Sequence, residues 1–65
     1  MDGEIGLTAG DVYRHLEANG SATVTQIRKA TGRKDAEVNQ AIGWLAREGK
    51  VVRLQRGRTT RWGLA

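Results

Sequence analysis

The hydrophobic period of this chain changes at Lys50 from about 3.6 residues to 2, and no other feature restricts its fold as much. Upstream of the change, Val38, Ala41, Ile42 and Leu45 fall at i, i+3, i+4 and i+7, the spacing of one buried helix face, and Glu48-Gly49 supplies a stop. Downstream, Val52 and Leu54 alternate with Arg53 and Gln55. Arg56-Gly57-Arg58 interrupts the run, and Thr60, Trp62 and Leu64 then alternate with Arg61 and Gly63. Two alternating segments joined by a short glycine-containing link predict a β-hairpin over residues 51–55 and 59–64. Its apolar face, with Val52 and Leu54, is expected to pack down and its arginines to point out. The adjacent pair Val51-Val52 leaves the register open.

Two more helices precede this unit. Thr8, three residues before Asp11, reads as a capping-box variant that opens a helix over 8–19, with Ala9, Val12, Tyr13 and Leu16 on its buried face and Asn19-Gly20 at its end. An extended piece from Ser21 leads to Thr25, which is expected to cap a short helix over 25–31 with Ile27 and Ala30 inward and Thr31-Gly32 as the stop. The third helix is expected over 35–48. The order of helix, short strand, helix, turn, helix and hairpin defines an α+β class, mainly α, with a three-helix core in one domain spanning residues 1–65.

A chain of 65 residues buries only roughly 60% of its unfolded surface. It has no cysteine and one histidine, His15, so neither disulfides nor a structural metal are expected to reinforce the core. One serine, one histidine, no glycine-lysine phosphate loop and no metal-ligand cluster exclude a catalytic constellation, and no cofactor or small-molecule substrate is expected. The longest run of apolar and small residues, Ala41 to Ala46, is far short of the roughly 20 that span a bilayer. The N-terminus, with Asp2 and Glu4, does not read as a signal peptide, so a cytoplasmic location is expected.

The net charge of +4 is unevenly placed. Residues 1–32 carry three basic and four acidic side chains. Residues 33–65 carry eight basic against three acidic, a balance of +5. Such asymmetry suggests a polyanionic partner, while solubility alone is the plainer explanation.

The element order resembles the winged helix-turn-helix fold, in which the second and third helices form the helix-turn-helix and the terminal hairpin is the wing. The segment Ala41-Ile42-Gly43-Trp44-Leu45-Ala46-Arg47-Glu48-Gly49-Lys50-Val51 is similar to a small bacterial and archaeal winged-helix family of unknown function. The resemblance covers nearly the whole chain. It implies the fold and not the function, because winged helices also serve as protein-protein modules. A weaker likeness, through Glu37-Val38-Asn39, Leu45-Ala46, Gly49-Lys50 and the late tryptophan, is to domains that bind left-handed Z-DNA. In those domains an asparagine and a tyrosine of the third helix and a tryptophan and prolines of the wing make the contacts. Here Asn39 and Trp62 match, but Gly43 stands at the tyrosine position and the chain has no proline.

With Val38, Ala41, Ile42 and Leu45 facing inward, about 100° per residue turns Ala36, Gln40, Gly43 and Arg47 outward, flanked by Arg33 and Asn39. Asn39 and Gln40 suit an adenine edge, Arg33 and Arg47 suit guanine or phosphate, and a helix fits the major groove. Lys34 and Lys50 add charge at the two ends of this helix. In the wing, Arg53, Arg56, Arg58 and Arg61 follow Glu48 with no further acidic residue to offset them; their forked guanidiniums match phosphate and also enter a narrow minor groove. Edge-strand charges that prevent aggregation are the alternative. If six basic groups each neutralise a phosphate, log K falls with log salt at a slope of about −0.9 times six. Trp62 is expected to close the core beneath the hairpin, with its ring edge a candidate ligand contact. Trp44 is expected to pack against the wing or to stack on a base.

These residues predict a nucleic-acid-binding module, for double-stranded DNA, with the third helix in the major groove and the arginine wing on the backbone or minor groove, as in a small prokaryotic transcription regulator. The competing expectation is a protein-protein adaptor, or a homodimer, that uses the fold without DNA and relies on an apolar patch around Trp44. The nucleic-acid expectation requires Arg53, Arg56, Arg58 and Arg61 to share one surface with the third helix.

Overall fold

The computed structural model describes residues 3–65, with side chains from residue 6 onward. Three helices, α1 (Gly3–Asn19), α2 (Val24–Thr31) and α3 (Asp35–Arg47), and three strands, β1 (Ser21–Ala22), β2 (Val51–Arg56) and β3 (Thr59–Leu64), follow the expected order. The strands form one antiparallel sheet in the order β1-β3-β2. Among the described residues no helix is long and apolar enough to cross a membrane.

Ala9, Val12 and Leu16 of α1, Ile27 of α2, and Val38, Ala41, Ile42 and Leu45 of α3 interlock in the core, closed by Ala22 and Val51 from the sheet. Tyr13, Val24, Trp44, Trp62 and Leu64 pack on its margins. The buried face of α3 is the one that the 3.6-residue spacing predicts.

Both predicted N-caps move. α1 begins at Gly3, upstream of Thr8. Thr8 is only 2% exposed, and the Asp11 carboxylate is held by Arg14 and Arg33 at 2.5 and 3.1 Å. The pair therefore lies within the helix, Thr8 on its buried face. α2 is capped by Thr23, not Thr25: the Thr23 hydroxyl accepts from the Gln26 N–H at 3.1 Å and the Gln26 side chain accepts from the Thr23 N–H at 3.0 Å. The reciprocal box needs an acceptor three residues on. Gln26 provides one after Thr23, whereas Arg28 after Thr25 does not. Starting the helix earlier turns Val24 and Ile27 inward and leaves Ala30 exposed, against the expectation that Ala30 faces the core.

α3 ends one residue before the expected Glu48, in a Schellman closure. Lys50 N–H donates to Leu45 O and Gly49 N–H to Ala46 O, at 2.9 and 3.0 Å, with Gly49 at φ 72°. The left-handed turn sends the chain straight into β2. Gly57 (φ 56°) and Arg58 then form a two-residue hairpin loop between Arg56 and Thr59, and glycine in the first position suits a type II′ turn.

The register reverses the expected phase of β2. Val51 faces Leu64 and Arg53 faces Trp62, so Val51, Arg53 and Gln55 share the inner face with Thr60, Trp62 and Leu64. Val51 is 4% exposed, while Val52 and Leu54 lie on the outer face at 42% and 41%. Of two adjacent valines, only one can enter the core. The Val51 choice is fixed by the α3 closure, which brings β2 onto the core immediately after Lys50.

Candidate nucleic-acid interface

Ala36, Asn39, Gln40, Gly43 and Arg47 form the solvent face of α3. Its first turn is closed by Glu37, whose Oε1 accepts from the Lys34 N–H at 2.9 Å. The lysine at the N-cap offers no acceptor in return. Asn39 is braced by a bond from its Nδ2 to Asp35 O at 2.9 Å, which fixes where the amide stands on the helix. Carboxylates near this face are already matched by the protein's own cations. Arg28 pairs with Asp35 at 2.9 Å, and Arg33 reaches Glu37 at 3.9 Å.

Arg33 does not stand free beside α3. Its guanidinium bridges Asp11 of α1 and Glu37 of α3, and its side chain is 27% exposed. The turn between α2 and α3 is thereby pinned to α1, which orients α3 against the core. Arg33 is a positioning residue in this structure, its charge spent inside the fold.

The wing arginines divide between the two faces of the sheet. Arg53 lies on the inner face opposite Trp62, and Arg58 in the turn leans to the same side. With Thr23, Asn39, Thr60 and Trp62 they line an open groove of about 580 Å³ between the wing and the helix-turn-helix. Arg56 and Arg61 belong to the outer face with Val52 and Leu54. Arg61 donates from Nε to Ser21 Oγ and from Nη2 to Ser21 O, both at 3.0 Å, fastening β1 to β3. The expectation of four arginines on one surface with α3, which the nucleic-acid expectation required, is not met: alternate residues of a strand point to opposite faces, only two share that surface, and a nucleic-acid reading has to rest on this inner-face pair.

Within the groove, polar side chains of the wing order one another. Arg53 Nη2 donates to Gln55 Oε1 at 3.1 Å, and the Thr60 hydroxyl donates to the same oxygen at 2.7 Å. The half-buried Trp62 indole forms the floor. Its packing on the core agrees with the expected closure beneath the hairpin. Sequence reasoning passed over Thr23 and Thr60 as groove residues. The Thr23-x-x-Gln26 spacing was the available sign for the first.

Trp44 and Lys50 sit elsewhere. They line a second groove of about 460 Å³ with Tyr13, Gly10 and Arg14 of α1. Trp44 thus packs toward α1, which corrects the expectation that it packs against the wing. Its place one step round α3 from the apolar stripe brings it to α1 on the side away from Asn39. Lys34, Gln40 and Arg47 are exposed. No group of His, Cys, Asp or Glu among the described residues is placed to hold a metal ion.

The groove is built from the inner face of the wing, the start of α2 and the Asn39 side of α3. Arg53 and Arg58 supply forked donors, Thr23 and Thr60 supply hydroxyls, Asn39 an amide and Trp62 a flat apolar surface, and no carboxylate lines it. Such a set suits a sugar-phosphate chain running beside exposed base edges.

Comparison with known proteins places this geometry. The family model described as a winged helix-turn-helix domain, DUF2582, matches residues 1–61. The uncharacterized protein MJ1608 of Methanocaldococcus jannaschii is 45% identical over 58 residues, covering 85% of this chain and 81% of its own. Protein BT2368 of Bacteroides thetaiotaomicron superposes with a TM-score of 0.86 at 24% identity, over 94% of this chain and 74% of its own. The Zalpha domain of Carassius auratus PKZ, solved in complex with Z-DNA, does so with a TM-score of 0.82 at 21% identity, over 94% and 97%. At such identities these two likenesses establish the winged-helix fold.

Proposed function

The chain belongs to the DUF2582 family of winged helix-turn-helix domains, and on that footing we propose that it binds nucleic acid, specifically double-stranded DNA. α3 enters the major groove while the Arg53 and Arg58 side of the wing holds the flanking backbone or minor groove. A small transcriptional regulator is the role that such a module fits. The observation that carries the proposal is the groove in which Asn39 meets Arg53, Arg58 and Trp62 with no carboxylate in its lining. Two cations in a concave, partly apolar surface focus the field on a polyanion more effectively than the same charges on a convex one.

The Zalpha neighbour, which shares the fold and was solved with Z-DNA, supports a nucleic-acid partner. In the sequence resemblance to that class of domain, Asn39 and Trp62 match its asparagine and tryptophan. Gly43 in place of the tyrosine, and the lack of proline, favour a right-handed duplex over a left-handed one. The adaptor alternative is the weaker reading, because Trp44, its expected anchor, is partly buried against the core.

Titration with a random double-stranded oligonucleotide, followed by backbone amide and indole NMR shifts, tests the proposal. Shifts concentrated at Asn39, Gln40, Arg53, Arg58, Thr60 and Trp62, weakening steeply with salt, are expected. No shift at low salt refutes it.

A further inference from the structure

Gly43 stands in the middle of α3, where glycine is the least favourable residue after proline. Most glycines in this chain are explained by the fold. Gly20, Gly32, Gly49 and Gly57 have φ between 56° and 84°. A Cβ on Gly63 would come within 3.2 Å of Leu54 Cδ1 and 3.4 Å of the Gly20 carbonyl oxygen; one on Gly10 would meet only the end of the exposed Arg14 side chain, at the ordinary contact distance of 3.4 Å. Gly43 has neither reason. Its φ is helical, its surface is exposed, and a Cβ there meets nothing within 4 Å.

Nothing inside the molecule asks for glycine at this position, so the reason lies outside it. Gly43 occupies the solvent stripe one turn after Asn39 and one turn before Arg47, on the face that the wing groove borders. Ala36 continues the stripe in the other direction, so the helix presents a low strip flanked by two short amides, Asn39 and Gln40. An amide of that length reaches a base edge only if the helix backbone itself comes close. A side chain at residue 43 would hold it away by its own thickness.

We propose that Gly43 is the point at which the backbone of α3 comes into van der Waals contact with the duplex, and that its missing side chain sets how deeply the helix inserts and so whether Asn39 reaches a base edge. The inference rests on the DNA-binding reading above and adds the residue that governs depth. Gly43 is a positioning residue; Asn39 is the reader.

The substitutions Gly43→Ala and Gly43→Met separate the two effects, because both residues are better helix formers than glycine. Thermal denaturation is expected to show Tm raised by about 4–8 °C for Gly43→Ala. Fluorescence anisotropy with the tightest-binding DNA duplex selected from a random pool is expected to show affinity falling as the side chain grows, on the order of tenfold for Gly43→Met, the value of one lost base contact. The salt slope stays at its wild-type value, since no phosphate contact is removed. Stabilised variants that bind as tightly as wild type overturn the inference and leave the DNA-binding reading standing. A wild-type domain that binds no duplex of the pool at low salt overturns both.

Discussion

Removing the two groove arginines together, Arg53→Ala with Arg58→Ala, is the sharpest test of how the wing meets a polyanion. Each phosphate neutralised contributes about 0.9 to the slope of log K against log salt, so losing two should flatten that slope by about 1.8. With the non-ionic part of binding unchanged, the same term predicts a loss of about 60-fold at 0.1 M salt. Neither side chain is buried, and the Arg53 bond to Gln55 is a surface contact. Thermal stability should therefore move by less than about 0.5 kcal/mol. Arg56→Ala is the matched comparison: the same charge removed from the same hairpin, on the outer face. Anisotropy titrations at four or five salt concentrations should leave its slope within error of wild type. A double variant that keeps the wild-type slope, or an Arg56→Ala variant that flattens it as much per charge, refutes the assignment of the inner face.

Three further outcomes follow from the packing. Val51→Ala should cost about 1.5–3 kcal/mol in chemical denaturation and Val52→Ala no more than about 0.5, because only the first is in the core; equal costs would contradict the register. Thr23→Ala removes the hydroxyl half of the α2 cap and should cost about 1 kcal/mol, whereas Thr25→Ala should be near neutral. Asp11→Asn loosens the ion pairs to both Arg14 and Arg33 and should lower stability by up to about 1 kcal/mol, with NMR shifts reaching across the α2–α3 turn.

Much of the architecture is legible in the residues because helix faces here are simple. Val38, Ala41, Ile42 and Leu45 leave α3 one way to lie, and Gly20, Gly32 and Gly49 mark the ends where the chain turns left-handed. The wing is less legible. Val51 and Val52 are chemically equal, and a one-residue slip exchanges every side chain between the two faces. What decides is the Schellman turn at Gly49, a backbone geometry that delivers Val51 to the core. The site inherits that ambiguity: the charge count of the wing can be read from the chain, but which arginines look toward α3 depends on a register set at its far end. Arg33 illustrates a second limit. Its partner Asp11 lies 22 residues away, beyond any local pattern.

Three of the described carboxylates, Asp11, Asp35 and Glu37, are held in ion pairs outside the lining of the groove. Asp11 draws in Arg14 and Arg33, Asp35 takes Arg28, and Glu37 is shared between Arg33 and the Lys34 backbone N–H. Two of these cations, Arg28 and Arg33, tie helices to one another, while Arg14 pairs with Asp11 within α1. Among the described residues no carboxylate pairs with Arg53 or Arg58, and the groove between them and Asn39 keeps its positive potential. If the pairs were merely decorative, Asp35→Asn and Glu37→Gln would raise affinity for DNA by removing negative charge near α3. If they also orient the recognition helix, Glu37→Gln gains little or loses, because the same substitution weakens the anchor between Arg33 and α3. The difference between the two variants therefore measures how far helix placement, beyond charge alone, carries recognition.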